Sequence, residues 1–300
     1  MDSICVAHLV RACNGLEPFQ RFLASYRRHG AGAPHRLLLV FKGFDGGGAL
    51  GAHDRLLEGI PHDRVLVPDS GYDIWSYALA ARQTRFDRYC FLNSYSVILD
   101  DGWLAKLARH ARDGAPDLIA ATGSWISHLT QTLDNPDAVR NLPLPAGRKV
   151  PLPRVLARIA RRGLISYLAR RFDAFPNYHV RTNCFLVRRE LLLASVPRRV
   201  YTKLDAYAFE SARSGLSGRC KAAGGRLLVV GRDGNAYAEQ EWAASNTFWQ
   251  GDQENLLVAD NQTMLYQAED LSTRAALSRV AWGDQARPAA GARRGDEASS

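Results

Sequence analysis

The residues of this chain best suited to chemistry sit in short polar stretches that interrupt apolar runs. Arg11 and Asn14 follow Ile4-Cys-Val-Ala-His-Leu-Val10, and Lys42 follows Arg36 to Phe41. Ser70-Gly-Tyr-Asp73 precedes a helical pattern, and Asn93-Ser94-Tyr95 ends the run Arg88-Tyr-Cys-Phe-Leu92. An arginine fork matches phosphate oxygens, and a lysine supplies a point charge for the same purpose. Asn93 and Ser94 form hydrogen bonds but carry no charge that would hold a divalent cation on their own. Each has a plainer reading: Asn93 as a turn residue, Lys42 as a solvated lysine, His8 as a buried structural histidine, Tyr95 as a half-buried aromatic. Asp73 is either a helix N-cap or an acceptor for a bound hydroxyl or base.

Further on, Thr202-Lys-Leu-Asp-Ala-Tyr-Ala-Phe-Glu-Ser-Ala-Arg-Ser-Gly215 carries two carboxylates, Asp205 and Glu210. If that span is helical, Glu210 and Arg213 lie three apart on one face and form a surface pair worth a few tenths of a kcal/mol, roughly. Gly251-Asp-Gln-Glu-Asn255 adds Asp252 and Glu254, which read as an acidic ligand pair or, more simply, as Asp252 capping a short terminal helix.

The elements that position these residues alternate. Residues 4–11 read as a strand, Pro18 to Gly30 as a helix with Phe19, Phe22, Leu23 and Tyr26 at helical spacing, and Arg36 to Phe41 as a second strand before Gly46-Gly47-Gly48. Strands at Arg64–Val67, Tyr89–Leu92 and Leu118–Thr122 alternate with helices at Ile74–Arg85 and Trp103–Ala111. The order predicts a three-layer α/β/α architecture with a mostly parallel central sheet. From Thr130 to Pro153 the rhythm breaks, and a helix follows at Arg154–Phe172. His179–Val187 then reads as a strand, Ala206–Ala223 as a helix and Arg226–Val230 as the last strand. Residues 1–285 are expected to form one domain, with a disordered tail over 286–300.

With 46% hydrophobic and 23% charged residues the composition is that of an ordinary soluble globular chain. Five widely spaced cysteines without a C-x-x-C pair read as reduced core thiols of a cytoplasmic protein. The start of the chain has no basic segment before its apolar stretch, and no window reaches the roughly 18 apolar residues of a spanning helix. The formal charge of +9 is concentrated: residues 138–172 contain nine Arg and Lys and no Asp or Glu, so this basic insert equals the whole excess. That distribution argues against a nucleic-acid-coating protein and for one local basic surface. Written as a helix, the insert aligns Leu156, Ile159, Ala160, Gly163, Leu164, Tyr167 and Leu168 in one stripe. It is the pattern of an interfacial helix over 154–171 on an anionic inner membrane, or equally of a helix packed on the domain with a solvated Arg face.

Several of these stretches together resemble the nucleotide-binding half of a GT-A-fold glycosyltransferase, and more narrowly the bacterial rhamnan-synthesis-type (family 2-like) proteins. The resembling residues are Ser70-Gly-Tyr-Asp-Ile-Trp-Ser-Tyr77, Tyr89-Cys-Phe-Leu-Asn-Ser-Tyr-Ser96, His179-Val-Arg-Thr-Asn-Cys-Phe-Leu-Val-Arg-Arg-Glu190 and Phe209-Glu210. The likeness runs over roughly Ile4 to Asn261. It implies a sugar transferred with inversion from a nucleotide-sugar donor to a cell-surface polysaccharide or lipid-linked glycan, by an enzyme working at the cytoplasmic face of the inner membrane. It further implies a donor crevice lined by Arg11, Lys42, Asp73, Asn93, Ser94 and Arg181, with Glu210 as general base and Asp205 as its competitor. The Asp-x-Asp that such enzymes use for Mn or Mg is replaced by Asn93-Ser94-Tyr95, so the expectation is a site without a metal cofactor. A degenerate, non-catalytic nucleotide- or glycan-binding module is the alternative. A nucleotidyl- or methyltransferase is disfavoured, since no G-x-G-x-x-G follows the first strand and no Walker A sequence occurs.

Overall fold

The computed structural model describes residues 2–44, 50–135, 141–143, 149–151, 153–197 and 200–287. In chain order its elements are β1 (Ile4–Arg11), α1 (Glu17–Arg28), β2 (Arg36–Lys42), α2 (Gly51–Leu56), β3 (Asp63–Val67), α3 (Tyr72–Gln83), β4 (Arg88–Leu92), β5 (Val97–Ile98) and α4 (Trp103–Ala108). There follow β6 (Leu118–Ala120), β7 (Gly123–Ser124), α5 (His128–Asp134), the paired β8 (Asn141–Pro143) and β9 (Lys149–Pro151), and α6 (Arg154–Arg171). The remainder comprises β10 (His179–Val180), β11 (Cys184–Arg188), α7 (Arg189–Ser195), α8 (Lys203–Ser211), α9 (Leu216–Ala222), β12 (Leu227–Val230), β13 (Ala236–Tyr237), β14 (Val258–Ala259), α10 (Asn261–Ala268) and α11 (Leu271–Trp282).

Eight strands form the central sheet in the order β13-β12-β6-β11-β4-β1-β2-β3. The pairs β1–β2, β1–β4, β2–β3 and β6–β12 are parallel, whereas β11 runs antiparallel to both its neighbours and β13 to β12. Strand side chains alternate between two hydrophobic layers, as the pleat requires. Cys5, Ala7 and Leu9 of β1, Tyr89 and Phe91 of β4, and Phe185 and Val187 of β11 enter one layer. Val6 and Val10, Cys90 and Leu92, and Cys184 and Leu186 enter the other, where Phe19, Phe22 and Leu23 of α1 and Trp103, Leu104 and Leu107 of α4 cover them. The expected three-layer α/β/α fold with a mostly parallel sheet is the one observed.

Local chemistry sets the helix ends. Pro18 lies in the first turn of α1 with Glu17, and Arg27 and Arg28 lie in its last turn, both favourable to the helix dipole. Thr202 and Asp205 form a reciprocal capping box on α8, as Asp260 and Thr263 do on α10.

Three expectations are corrected. The run His179–Val187 is two strands, because Arg181 N–H bonds Thr122 O and the Thr182 N–H donates to a side chain instead of a ladder. The span Ala206–Ala223 is two helices: the chain turns at Ala212–Gly215, and any Cβ on Gly215 would meet the Ala208 carbonyl oxygen at 2.3 Å. Arg213 therefore leaves the Glu210 face and donates to Asp173 Oδ1 at 2.7 Å and the Phe172 carbonyl at 2.9 Å. Asp252 caps neither of the last two helices, whose N-caps are Asp260 on α10 and Asp270 on α11; it pairs with Arg274 at 2.7 Å. The Gly46–Gly48 run lies outside the described residues, as do residues 288–300 of the expected tail. Ala286 packs against the core, and the Arg287 carbonyl accepts the Gly251 N–H. Of the five cysteines four are buried and Cys13 is exposed, all as free thiols. Among the described residues no helix is long and apolar enough to cross a membrane.

His8, on β1, is fully buried and stacked flat on Phe22 at 3.6 Å between ring centroids, and neither ring nitrogen has a hydrogen-bond partner among the described residues. Burial pushes its pKa down from 6.5 to about 3. The unfolded chain therefore takes up a proton that the folded chain refuses, and stability falls as pH drops below 6.5 toward 3. Between pH 7 and pH 5 this one group costs about 2 kcal/mol by linkage. Urea unfolding at both pH values should show that much less loss in His8→Leu than in the parent chain.

Candidate functional site

In an open parallel sheet a crevice forms at the carboxyl ends of the strands where the winding direction reverses. Here β1 has β2 on one side and β4 on the other, so the reversal falls between the loops after β1 and β4. Asn14 Nδ2 spans it, donating to Ser94 Oγ at 2.8 Å. The loop after β3 joins through Asp69, whose carboxylate lies 3.6 Å from Arg11 Nη2 and 3.9 Å from Lys42 Nζ. The four polar loops thus meet at one rim.

Lys42 is not the solvated lysine its sequence suggests. Its side chain is about 1% exposed, and Nζ donates to the Tyr72 carbonyl at 2.6 Å. That contact supports a strained turn: Gly71 has φ +66° and Tyr72 φ +52°, the latter a conformation that bulky residues rarely adopt outside functional sites. Gly71 is also the N-cap of α3 and makes no side-chain cap bond, so Asp73 is not the cap. Asp73 instead faces the cluster. Burial raises its carboxyl above the ordinary value, Lys42 and Arg11 pull it back, and Asp69 pushes it up. Burial likewise lowers the Lys42 ammonium, with Asp73 opposing that shift. Two cations and two carboxylates share one corner, with Lys42 buried at its base and Asp69 about half exposed at its edge. Arg11 is the more accessible of the two cations, its side chain 32% exposed.

Asn93 Oδ1 accepts from the Tyr95 N–H at 3.0 Å and the Ser96 hydroxyl at 3.1 Å, the self-bonded turn its type favours. Its own N–H donates to the Asn183 carbonyl at 2.8 Å, the point where β11 joins β4. Because β11 is antiparallel, the residues before it, Arg181 to Asn183, arrive at the same rim. Asn183 Oδ1 accepts from Thr122 Oγ1 at 2.7 Å, and its Nδ2 is buried without a partner among the described residues. Arg181 is held by Asp260 at 2.8 Å and Thr122 at 3.2 Å and lies 4.0 Å over the Phe248 ring. Those restraints leave it as a fixed charge rather than a free phosphate ligand.

Glu210, near the end of α8, reaches the same place. Oε1 accepts the Thr182 N–H at 2.6 Å and the Thr182 hydroxyl at 3.3 Å. Burial raises its carboxyl above 4.5, while Arg181, the Thr182 N–H and His128 hold it down. His128 is kept neutral, its pKa pushed down to about 4 chiefly by burial. The buried Tyr77 phenol lies within electrostatic reach of both Asp73 and Glu210, which links the basic corner to the far carboxylate. Asp205 goes elsewhere: it accepts from the Tyr201 and Thr202 N–H groups and the Thr202 hydroxyl within the capping box, which lowers its pKa. Sequence reasoning missed Asp69, Thr182, His128 and Asn183 as members of this rim. Only Thr182 and Asn183 left a trace, as polar residues beside Arg181 within an apolar run.

Among the described residues no group of three or more His, Cys, Asp or Glu side chains gathers as a metal site. The oxygens of Asn93 and Ser94 are neutral and already accept hydrogen bonds, and the Asp69–Asp73 pair already faces Lys42 and Arg11. A hollow of about 840 Å³ lies at the opposite, amino end of the strands, bordered by Ile4, Arg36 and Arg88. It holds none of these groups.

No protein-family model matches the chain, and no curated protein matches it in sequence. Its structural neighbours include glycosyltransferases. The WbbM bifunctional glycosyltransferase is 11% identical with a TM-score of 0.39, over 73% of this chain and 38% of that one. The mannosyltransferase PcManGT from Pyrobaculum calidifontis, in complex with GDP-Man and Mn²⁺, is 12% identical with a TM-score of 0.37, over 64% and 46%. The 4-diphosphocytidyl-2C-methyl-D-erythritol synthase of Anaerococcus prevotii is 11% identical with a TM-score of 0.37, over 69% and 83%. The chain spans less than half the length of these two glycosyltransferases, and likeness this distant leaves the activity to the residues themselves.

Tyr77 Oη is buried and has no hydrogen-bond partner among the described residues. An orphaned hydroxyl costs about 1–3 kcal/mol. Tyr77→Phe should therefore leave thermal stability unchanged or raised, and a loss above about 2 kcal/mol in calorimetry would reveal a partner at this rim.

Proposed function

We propose that this chain is a glycosyltransferase that moves a hexosyl or deoxyhexosyl group from a nucleotide-sugar donor to a cell-surface polysaccharide or lipid-linked glycan, with inversion. The observation that carries this reading is Glu210, a carboxylate oriented by Thr182 across the crevice from a basic corner. In the proposed reaction an acceptor hydroxyl attacks the anomeric carbon as its proton passes to Glu210, and the bond to the nucleoside diphosphate breaks. Burial supports the role, because a raised carboxyl is a stronger base toward that hydroxyl once ionised. Arg11 meets the diphosphate, competing with Asp69 for it, while Lys42 balances Asp73 and fixes the turn that presents it. Asp73 accepts from the donor ribose or base, and Asn93 and Ser94 floor the crevice. Arg181 favours the ionised form of Glu210 against the effect of burial, rather than binding phosphate.

Dependence on a divalent cation does not suit this set of groups, since the position that would hold one offers neutral oxygens already in use. Leaving-group charge is then met by Arg11 and by hydrogen bonds. EDTA should leave transfer from nucleotide sugars unchanged, and abolition of transfer restored by Mn²⁺ would overturn the metal-free scheme.

Glu210→Gln should lower kcat by about 10²–10⁴-fold with nucleoside diphosphate affinity unaltered. Activity requires the ionised form, so kcat/KM should fall on the acid side of a pKa above 4.5. Arg11→Gln should weaken nucleoside diphosphate binding about tenfold or more in calorimetric titration. A chain that binds nucleotide, turns over no donor and is indifferent to Glu210→Gln would be a binding module instead.

A further inference from the structure

The stripe along α6 does not behave as one surface. Its later part is buried: Leu168 and Phe172 join Leu129 and Ala212 in a small core, with Leu164, Ile165 and Tyr167 packed against it together with Leu204 and Ala208 of α8. Arg161 turns inward as well, donating to the Thr132 and Leu133 carbonyls of α5 at 3.0 and 2.7 Å. The first two turns are left uncovered. Val155 is 66% exposed, Leu156 52% and Ile159 60%, three large apolar side chains on adjoining turns of the outward face. Arg154, Arg158 and Arg162 are exposed around them, and no acidic residue occurs in the sequence between 138 and 172.

We propose that the first half of α6 is a docking surface for an anionic lipid bilayer, with Val155, Leu156 and Ile159 entering the boundary below the headgroups and the three arginines meeting lipid phosphates. Scattered exposed apolar residues are ordinary; three together, flanked by a row of like charge, are not. A face so composed needs an occupant that is apolar beneath and negative at its edge, which describes the interface of an anionic membrane. A second copy of the chain would bring one arginine row near the other and is disfavoured by repulsion. A nucleic acid would leave the apolar centre in water. The later half of α6, locked into its core, holds the inserting turns at a fixed angle to the domain. Docking stands independently of the donor-site reading.

The test is co-sedimentation of the full chain with vesicles of phosphatidylcholine alone or mixed with phosphatidylglycerol, at low and high salt. The chain should sediment with the mixed vesicles only, and high salt should release it. Arg158→Gln with Arg162→Gln should weaken partitioning about 25-fold, roughly fivefold for each charge. Val155→Ser with Ile159→Ser should weaken it at least about tenfold. Both double variants lie on the exposed face and should keep the parent melting temperature and nucleoside diphosphate affinity, which separates this result from any failure at the donor site. Absence of sedimentation with mixed vesicles, binding unchanged in both variants, or a dimer that Val155→Ser with Ile159→Ser dissolves would each overturn the proposal.

Discussion

One reversed strand governs the rim of this sheet. Between β4 and β6, both running the other way, β11 begins where they end, and the Asn183 carbonyl receives the Asn93 N–H at that junction. A parallel β11 of the same five residues would have carried Arg181 to Asn183 to the far end, about 17 Å away. Antiparallel pairing instead gives Glu210 its anchor in Thr182 and gives Arg181 its seat between Asp260 and Phe248. The rim therefore draws on two halves of the chain that share no helix. At the rim they are joined by a short ladder and the side-chain bonds around Asn183, and beneath it by a shared core in which Tyr77 and Phe91 pack with Phe185 and Phe209.

Burial then decides how charge is distributed. The buried Lys42 would be costly alone and is tolerable because Asp69 and Asp73 are near, as Asp73 is eased by Lys42 and Arg11. The same desolvation raises Asp73 and Glu210 and keeps His128 and His179 neutral. Carboxylates with raised pKa and imidazoles held neutral thus gather at one rim, the kind of clustering of perturbed groups that marks a candidate site.

Much of this architecture is written in short-range pattern. The apolar runs at β1, β2 and β4 and the helical spacing of Phe19, Phe22 and Leu23 announce themselves, because an element buried on its own periodicity needs no distant information. The convergence of the loops at Arg11, Lys42, Asp69 to Asp73 and Asn93 follows from topology alone. What pattern does not carry is a break made by a distant partner. The interruption at Arg181–Asn183 exists because Thr122 and Glu210 claim its N–H groups, and the turn at Arg213 exists because Asp173 and the end of α6 claim its guanidinium. Asp205 and Glu210 look equivalent in sequence, five residues apart on one segment. Only the local box with Thr202 distinguishes the cap from the carboxylate that reaches inward, and Lys42 reads as a surface residue until Tyr72 folds over it.

The contact between Lys42 and Tyr72 also bears on how this chain can drift. A single side chain balances the charge of Asp73 and holds the backbone of its neighbour in a left-handed turn. Losing Lys42 would remove one of the two cations that stabilise the Asp73 carboxylate and release a strained tyrosine in one step, whereas losing Asp73 would leave the ammonium with Asp69, 3.9 Å away. Drift at position 42 therefore alters the electrostatics and the backbone geometry of this edge together, although residues 42 and 72 lie far apart in the chain.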